Sequence, residues 1–100
     1  MSDRESTVEE YLVEQCKAHG ILTRKVSWIG RSKAMDRLLV YRGKVVFAEM
    51  KGESNQAKFP SNAHERAQLR EMNRFREQGA DVRLVGTKAQ VDALIAEMVA

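Results

Sequence analysis

A carboxylate and an ammonium lie two residues apart at the end of the most apolar segment of the chain. The segment VVFAEMKGE, residues 45–53, begins as a buried strand and then carries Glu49 and Lys51. Charged side chains are rarely buried unless they are paired. Because alternate residues of a strand point to one face, Glu49 and Lys51 are expected to share a face. They could form a plain ion pair, or they could hold a metal ion and stabilise charge on a phosphate.

A second acid, Asp36, is predicted to lie across from Glu49. A two-residue turn at residues 42–43 would pair Leu38 with Phe47 and place Asp36 opposite Glu49, with β-carbons about 5 Å apart. Two carboxylates at that distance repel by roughly 3 kcal/mol at an effective dielectric of about 20. A proton on one acid, a basic side chain between them or a bridging Mg²⁺ or Mn²⁺ would each relieve the repulsion.

The remaining sequence predicts the elements that position these side chains. Asn62 with Glu65 and Thr87 with Gln90 have the spacing of capping boxes, which open helices. Hydrophobic periodicity, turn residues and these caps predict helices over 3–18, from 62 to about 78 and after 87, and strands over 21–29, 36–41, 44–51 and 81–85, with a loop over 52–60. The order α-β-β-β-α-β-α indicates an α/β fold, with a mixed β-sheet flanked by helices in a single domain, 1–100.

Charge and composition limit the possible function classes. The 100 residues carry a net charge of +3. Residues 24–44 hold seven basic residues against one acid, which indicates a polyanion partner or, alternatively, a solvated charged hairpin. Long apolar runs are absent and the first ten residues are polar, so neither a membrane span nor a signal peptide is expected. The single Cys16 excludes an internal disulfide and fits a cytoplasmic protein.

Four segments in this order resemble the VRR-NUC (virus-type replication-repair nuclease) domain of the PD-(D/E)xK nuclease superfamily, in its short stand-alone phage form. They are VEEYLVEQCKAHG, GRSKAMDRLLV, VVFAEMKGE and AQLREMNRFREQGADVRLV, and together they cover nearly all of the chain. The Glu-x-Lys tripeptide alone is a weak signal, whereas the four segments in this spacing are a strong one.

The resemblance implies a role for each matching residue. Asp36, Glu49 and the carbonyl of Met50 would bind Mg²⁺ or Mn²⁺, and Lys51 would be the catalytic lysine. Asp36 and Glu49 count among the catalytic residues as well. Two further matches complete the set: Glu9 as an additional metal or water ligand, and Gln68 as a catalytic residue beside the lysine.

The family also implies a reaction and partners. These are hydrolysis of DNA phosphodiester bonds with 5′-phosphate products, selectivity for junctions or other branched DNA, and a homodimer. The chain departs from the family pattern in Met35 where proline is usual, in the loop over 52–62, and in Glu65 where serine is frequent. The loop affects the expected substrate, whereas the loss of proline removes a backbone restraint and no ligand.

Several of these residues also have structural interpretations. Glu9 could complete a capping box with Ser6, and Gln68 could be hydrogen-bonded in the core. Trp28 could stack on a base, lie in a dimer interface or belong to the core. The basic side chains predicted to contact DNA are Arg31, Lys33, Arg37 and Arg70. The sequence predicts a metal-dependent endonuclease, with a non-catalytic DNA-binding module and a structural or interaction protein as alternatives.

Overall fold

A computed structural model describes residues 4–30 and 34–100, apart from the side chain of Glu5. The elements are α1 (Glu5–Ala18), β1 (Leu22–Lys25), β2 (Arg37–Tyr41), β3 (Lys44–Met50), α2 (Glu53–Gln56), α3 (Ala63–Glu77), β4 (Asp81–Val85) and α4 (Lys88–Val99). The predicted α/β order is confirmed, with one addition: the expected loop over 52–60 contains the short helix α2. Within the described residues, no helix is long and apolar enough to cross a membrane.

The four strands form one mixed sheet in the order β1-β2-β3-β4. The pairs β1–β2 and β2–β3 are antiparallel, and β3–β4 is parallel. A parallel pair needs a crossover connection, and α3 lies in the segment that links β3 to β4. β3 therefore lies between β2 and β4, and its last two residues, Glu49 and Met50, continue along β4 beyond the end of the ladder with β2.

The hairpin between β2 and β3 has the predicted two-residue turn. Arg42 has φ 45° and Gly43 has φ 86°, which is the positive-φ pair that a tight hairpin of this kind requires. The register follows from it, and Leu38 pairs with Phe47. In contrast, β1 is shorter than the predicted strand over 21–29: its ladder with β2 ends at the pair of Lys25 with Arg37, and one further hydrogen bond joins the amide of Val26 to the carbonyl of Asp36.

Each face of the sheet packs against a different set of helices. One face buries an apolar cluster shared with α1 and α4, which includes Leu12, Leu39 and Leu94. The other face buries a smaller cluster around Met35, Met72 and Val82, with three aromatic rings against it: Trp28, Phe47 and Phe75. Because strand residues alternate, Glu49 shares the face of Phe47 and points toward α3.

Candidate active site

The end of β3 carries the two charged residues with which the sequence analysis began. Glu49 is only 2% exposed, although it is a carboxylate, and Lys51 follows immediately after the strand. The amide of Lys51 donates to the carbonyl of Val85 at 2.9 Å, so the parallel ladder continues one residue beyond β3. The backbone of Lys51 is thus fixed by the sheet itself.

A second set of contacts fixes the carbonyl of Lys51. A β-carbon at Gly86 would lie 1.8 Å from this oxygen, so only a glycine allows the two backbones to approach so closely. The carbonyl accepts a hydrogen bond from Gln56 Nε2 at 2.8 Å, and Gln56 in turn exchanges hydrogen bonds with Gln90. Gln90 Oε1 also accepts from the amide of Gly86 at 2.8 Å. The helix α2, absent from the predicted fold, is what supplies Gln56.

Asp36 lies beside this strand end but not in the predicted ladder position. The ladder of β2 ends with Arg37 opposite Ala48, and the amide of Asp36 also donates to the carbonyl of Ala48 at 3.0 Å. Two residues of one strand therefore meet one residue of the other, as in a β-bulge. The expected direct pairing of Asp36 with Glu49 was wrong, because the bulge displaces Asp36 by one position.

The displaced carboxylate is held by the backbone of the neighbouring strand. Asp36 Oδ2 accepts a hydrogen bond from the amide of Met50 at 2.8 Å. Burial raises the pKa of Asp36, and the nearby charge of Glu9 adds to the rise, while the Met50 hydrogen bond, Lys25 and Lys51 oppose it. A raised pKa means that the environment disfavours the anion, and a bound cation would reverse that preference.

Helix α3 supplies two side chains that reach Lys51. The ammonium of Lys51 lies 3.3 Å from Glu65 Oε2 and 3.3 Å from Gln68 Oε1. Gln68, which is buried, also lies with Nε2 3.4 Å from Glu49 Oε2. The side-chain amide of Gln68 therefore lies between Lys51 and Glu49. The resemblance likewise implies a glutamine beside the lysine.

Glu65 is anchored from the other side by Ser61. Its Oε1 accepts from the amide of Ser61 at 2.8 Å and from the hydroxyl of Ser61 at 2.7 Å. These hydrogen bonds, together with Lys51, lower the pKa of Glu65 to about 2. The predicted cap of α3 is also present, because Asn62 Oδ1 accepts from the amide of Glu65 at 2.8 Å. Cap and ion pair together fix the start of α3 against the end of β3.

Glu9 is engaged with basic side chains in this structure. Its Oε2 lies 2.9 Å from Arg37 Nε and 3.5 Å from Lys25 Nζ. The alternative capping role is not observed, since no side chain caps the start of α1. Among residues 4–30 and 34–100, no three or more His, Cys, Asp or Glu side chains are grouped closely enough to hold a metal ion together. Both basic contacts involve Oε2 of Glu9, and its role as a metal ligand stays a prediction.

The donor set that remains at the strand end fits a hard divalent cation. Asp36 and Glu49 offer carboxylate oxygens, and Met50 offers a backbone carbonyl between Glu49 and Lys51. Oxygen ligands of this kind are those that Mg²⁺ and Mn²⁺ prefer.

The basic residues predicted to contact DNA have different surroundings. Arg31 and Lys33 lie outside the described residues. Arg37 is half-buried in its ion pair with Glu9, while Arg70 is exposed on α3. All four assignments stay predictions.

Sequence reasoning missed the contribution of Gln56, Gly86 and Gln90. Only Gln90 left a signal, through its capping-box spacing with Thr87. That cap is confirmed by a 3.0 Å hydrogen bond from the amide of Gln90 to Thr87 Oγ1. The role of Gly86 depends on the approach of a residue 35 positions away, which no local pattern reports.

Comparison with known proteins defines the class to which this fold and site belong. A solved structure described as a VRR_NUC domain matches with a TM-score of 0.74 and 42% sequence identity, over 92% of this chain and 94% of that chain. No family model matches the sequence, and no curated protein does. The mixed sheet with its Glu-x-Lys strand end is thus that of a nuclease-type DNA-processing domain. The chain belongs to the VRR-NUC domain family.

Proposed function

We propose that this domain is a metal-dependent DNA endonuclease with its active site at the end of β3. The observation that carries the proposal is the chain of contacts from Glu49 through Gln68 to Lys51, with Asp36 held beside it by the amide of Met50. A buried acid, an oriented lysine and a second carboxylate at the end of one strand are the groups that phosphodiester hydrolysis needs.

Each residue has a defined task in this proposal. Asp36, Glu49 and the carbonyl of Met50 would hold Mg²⁺ or Mn²⁺, with Glu9 as a further ligand. The cation would supply Lewis acidity toward the phosphate and lower the pKa of a water molecule. Lys51 places its positive charge toward the oxygens of the phosphate on which negative charge develops. Glu65 and Gln68 restrict the ammonium of Lys51 to one position.

The reaction is an in-line displacement at phosphorus. A water oxygen forms a bond to phosphorus and gives up a proton to solvent, the bond from phosphorus to the 3′-oxygen breaks, and the departing 3′-oxygen takes up a proton from solvent. The products are a 5′-phosphate and a 3′-hydroxyl. The exposed Arg70 and the basic residues around 31–37 are proposed to bind neighbouring phosphates, so affinity should fall as salt rises.

Selectivity for branched DNA and a homodimer complete the proposal. Radius of gyration is 13.1 Å, so one copy offers a small footprint on DNA. A two-fold dimer would present two sites for paired cuts, as a four-way junction requires. Light scattering during gel filtration should show two copies at micromolar concentration, and a monomer at high micromolar concentration would contradict the dimer.

Cleavage of a DNA panel tests the proposal. Supercoiled plasmid, linear duplex, a flap and a four-way junction are incubated with Mg²⁺, Mn²⁺ or EDTA. Lys51→Ala should lower the cleavage rate by about 10²–10³-fold, the usual cost of losing one group that stabilises transition-state charge. The exposed lysine of the α2–α3 connection provides the matched control, Lys58→Ala, which should cut at the wild-type rate.

A non-catalytic DNA-binding module is the second candidate. It is favoured by the ion pair between Glu9 and Arg37, in which a proposed metal ligand is already engaged with a basic side chain. That candidate predicts salt-sensitive DNA binding that survives chelation, with no cleavage of any substrate by the wild-type protein. Metal-dependent cleavage that Lys51→Ala abolishes would exclude it.

A further inference from the structure

A pocket of about 640 Å³ lies beyond the active site, where α3 passes the aromatic cluster. Its lining consists of Trp28, Glu71, Arg74, Phe75, Gln78 and Ala80. The ring centroids of Trp28 and Phe75 lie 5.3 Å apart in an edge-on arrangement. The indole is held in place by a 3.0 Å hydrogen bond from its Nε1 to the carbonyl of Met35. The aromatic wall of the pocket is therefore rigid.

This pocket adjoins the active site on two sides. Trp28 also lines a recess of about 300 Å³ that includes Asp36 and Lys25. In addition, Glu71 lies three residues after Gln68 on α3, which places the two side chains on one face of the helix. A DNA strand bound at Asp36 would thus pass directly by the indole of Trp28.

The chemistry of the lining distinguishes among parts of a nucleotide. Glu71 is largely buried and carries a carboxylate that would repel a phosphate group. The same carboxylate accepts hydrogen bonds from ring N–H and amino groups, as acidic residues do with base edges. Trp28 and Phe75 offer apolar surface to a flat ring. Arg74, whose Nη1 lies 3.3 Å from Glu71 Oε1, is exposed and can turn toward the backbone of the same nucleotide.

We propose that this nucleobase pocket binds one unpaired base of the DNA substrate. The proposal rests on the proposed function, and it adds a reason for substrate choice. A base must leave its stack and its partner to enter such a pocket, and this costs least where the base is already unpaired. Flaps and junctions with unpaired nucleotides next to the scissile phosphate are therefore preferred over continuous duplex.

The test measures binding without cleavage. Short single-stranded oligonucleotides, and flaps with the same sequence, are titrated in EDTA while one position at a time is replaced by an abasic site. We expect one position to matter, with a loss of about 5- to 100-fold in affinity, the range for a single stacked base. Trp28 is the one tryptophan of the chain, and its fluorescence should change on binding the intact strand but not the abasic one.

A variant that fills the pocket links this effect to the pocket itself. Gln78 is exposed at the end of α3, so Gln78→Phe should fold and place a ring where the base would lie. In this variant the abasic replacement at the sensitive position should lower the DNA affinity by less than about twofold. The reason is that neither the intact nor the abasic oligonucleotide can then place a base in the pocket. The neighbouring exposed residue, which does not line the pocket, gives the matched control Glu77→Phe, and it should keep the wild-type sensitivity.

The other outcomes are also decisive. If no abasic replacement lowers the DNA affinity although the protein cleaves DNA, the nucleobase pocket is overturned and the proposed nuclease activity stands. If no abasic replacement matters and the protein is a dimer that Gln78→Phe dissociates but Glu77→Phe does not, the pocket is an interface between two copies. A protein that binds none of the oligonucleotides would overturn the pocket and the proposed DNA substrate together.

Discussion

The ammonium of Lys51 lies 3.3 Å from the carboxylate of Glu65, and Ser61 holds that carboxylate with two hydrogen bonds. The lysine proposed for catalysis is thus oriented by the first turn of α3. Both partners of the pair are mostly shielded from solvent, at 13% and 12% side-chain exposure. An interaction of this kind is a means of positioning, because a lysine with four rotatable bonds would otherwise sample many rotamers.

Removing the charge of Glu65 should lower activity. Glu65→Gln keeps the shape of the side chain and one acceptor oxygen for Ser61, but it replaces the oxygen that accepts from Lys51 and so loses the ion pair. We expect kcat to fall by about 10- to 100-fold, as for other residues that orient a catalytic group, with KM for DNA little changed. Steady-state kinetics on the preferred DNA would measure this, beside Glu77→Gln as an exposed control on the same helix. Equal losses in both variants would contradict a positioning role.

Glu65 also predicts how stability depends on pH. Its pKa is about 2 in the fold, against 4.5 in an unfolded chain. A depressed pKa contributes stability above the unfolded value, and this contribution is lost as pH falls through the folded value. The free energy of unfolding should therefore drop as pH decreases from about 4.5 to about 2. Urea titrations across this pH range should show that the free energy of unfolding falls less for Glu65→Gln than for the wild-type protein. An identical slope in both proteins would contradict the lowered pKa of Glu65, which rests first on the hydrogen bonds from Ser61 and then on Lys51.

Asp36→Asn should stabilise the protein when no divalent ion is present. The pKa of Asp36 is raised by burial and by Glu9, so ionisation of this carboxylate opposes folding at neutral pH. Asparagine retains an oxygen that can accept from the amide of Met50. Calorimetry in EDTA should give a higher Tm, and about 1 kcal/mol corresponds to roughly 4–8 °C for a domain of this size. The same variant should lose any stabilisation by Mg²⁺ or Mn²⁺ and should not cleave DNA.

Gly86→Ala should destabilise the protein and impair catalysis by displacing the backbone of Lys51. The added methyl group would overlap the carbonyl of Lys51, and overpacking of this kind costs about 1–3 kcal/mol. Gly52 follows Lys51 in the chain, and a β-carbon added there would have no atom of another segment within 4 Å. Gly52→Ala is therefore the matched control. Thermal melts should separate the two variants. Equal melting temperatures of Gly86→Ala and Gly52→Ala would show that the backbones of Gly86 and Lys51 can move apart at little cost.

Cys16 should report on global unfolding. It is fully buried in the cluster between α1 and α4, and burial raises the pKa of its thiol to about 11. Alkylation requires the thiolate, so iodoacetamide at pH 8 should modify the protein only when it unfolds. The modification rate should rise in parallel with loss of helical circular dichroism in urea. Rapid labelling of the folded protein would contradict the packing of α1.

The sequence predicts most of the fold because its signals are local. The turn at residues 42–43, the caps of α3 and α4 and the apolar stripe of α1 all depend on neighbours within a few residues. The register of Leu38 with Phe47 followed from the turn alone. The placement of Asp36 was wrong by one position because a bulge depends on how the strand meets the chain before it, and no residue type marks it here.

The candidate site was predicted less completely, for a related reason. Glu49 and Lys51 were found from their charge at the end of an apolar segment, and Asp36 was found from the hairpin register. Gln68 needed the resemblance to a known family. Glu65 was noticed as a departure from that family, and its role became clear only from its contact with Lys51. The close approach at Gly86 joins segments far apart in the chain, so only the folded structure reveals it.

The tight hairpin has a consequence for the order in which the molecule folds. Asp36, Glu49 and Lys51 are brought together by closure of a two-residue loop, which is among the fastest events in folding. Gln68 and Glu65 arrive only when the long crossover of α3 docks, and such non-local contacts form late. We expect substitutions in the hairpin to slow refolding and substitutions at the base of α3 mainly to accelerate unfolding. Asp36 and Glu49 would then be brought together before the ammonium of Lys51 acquires its fixed position, whereas Glu9 would join them only when α1 packs onto the sheet.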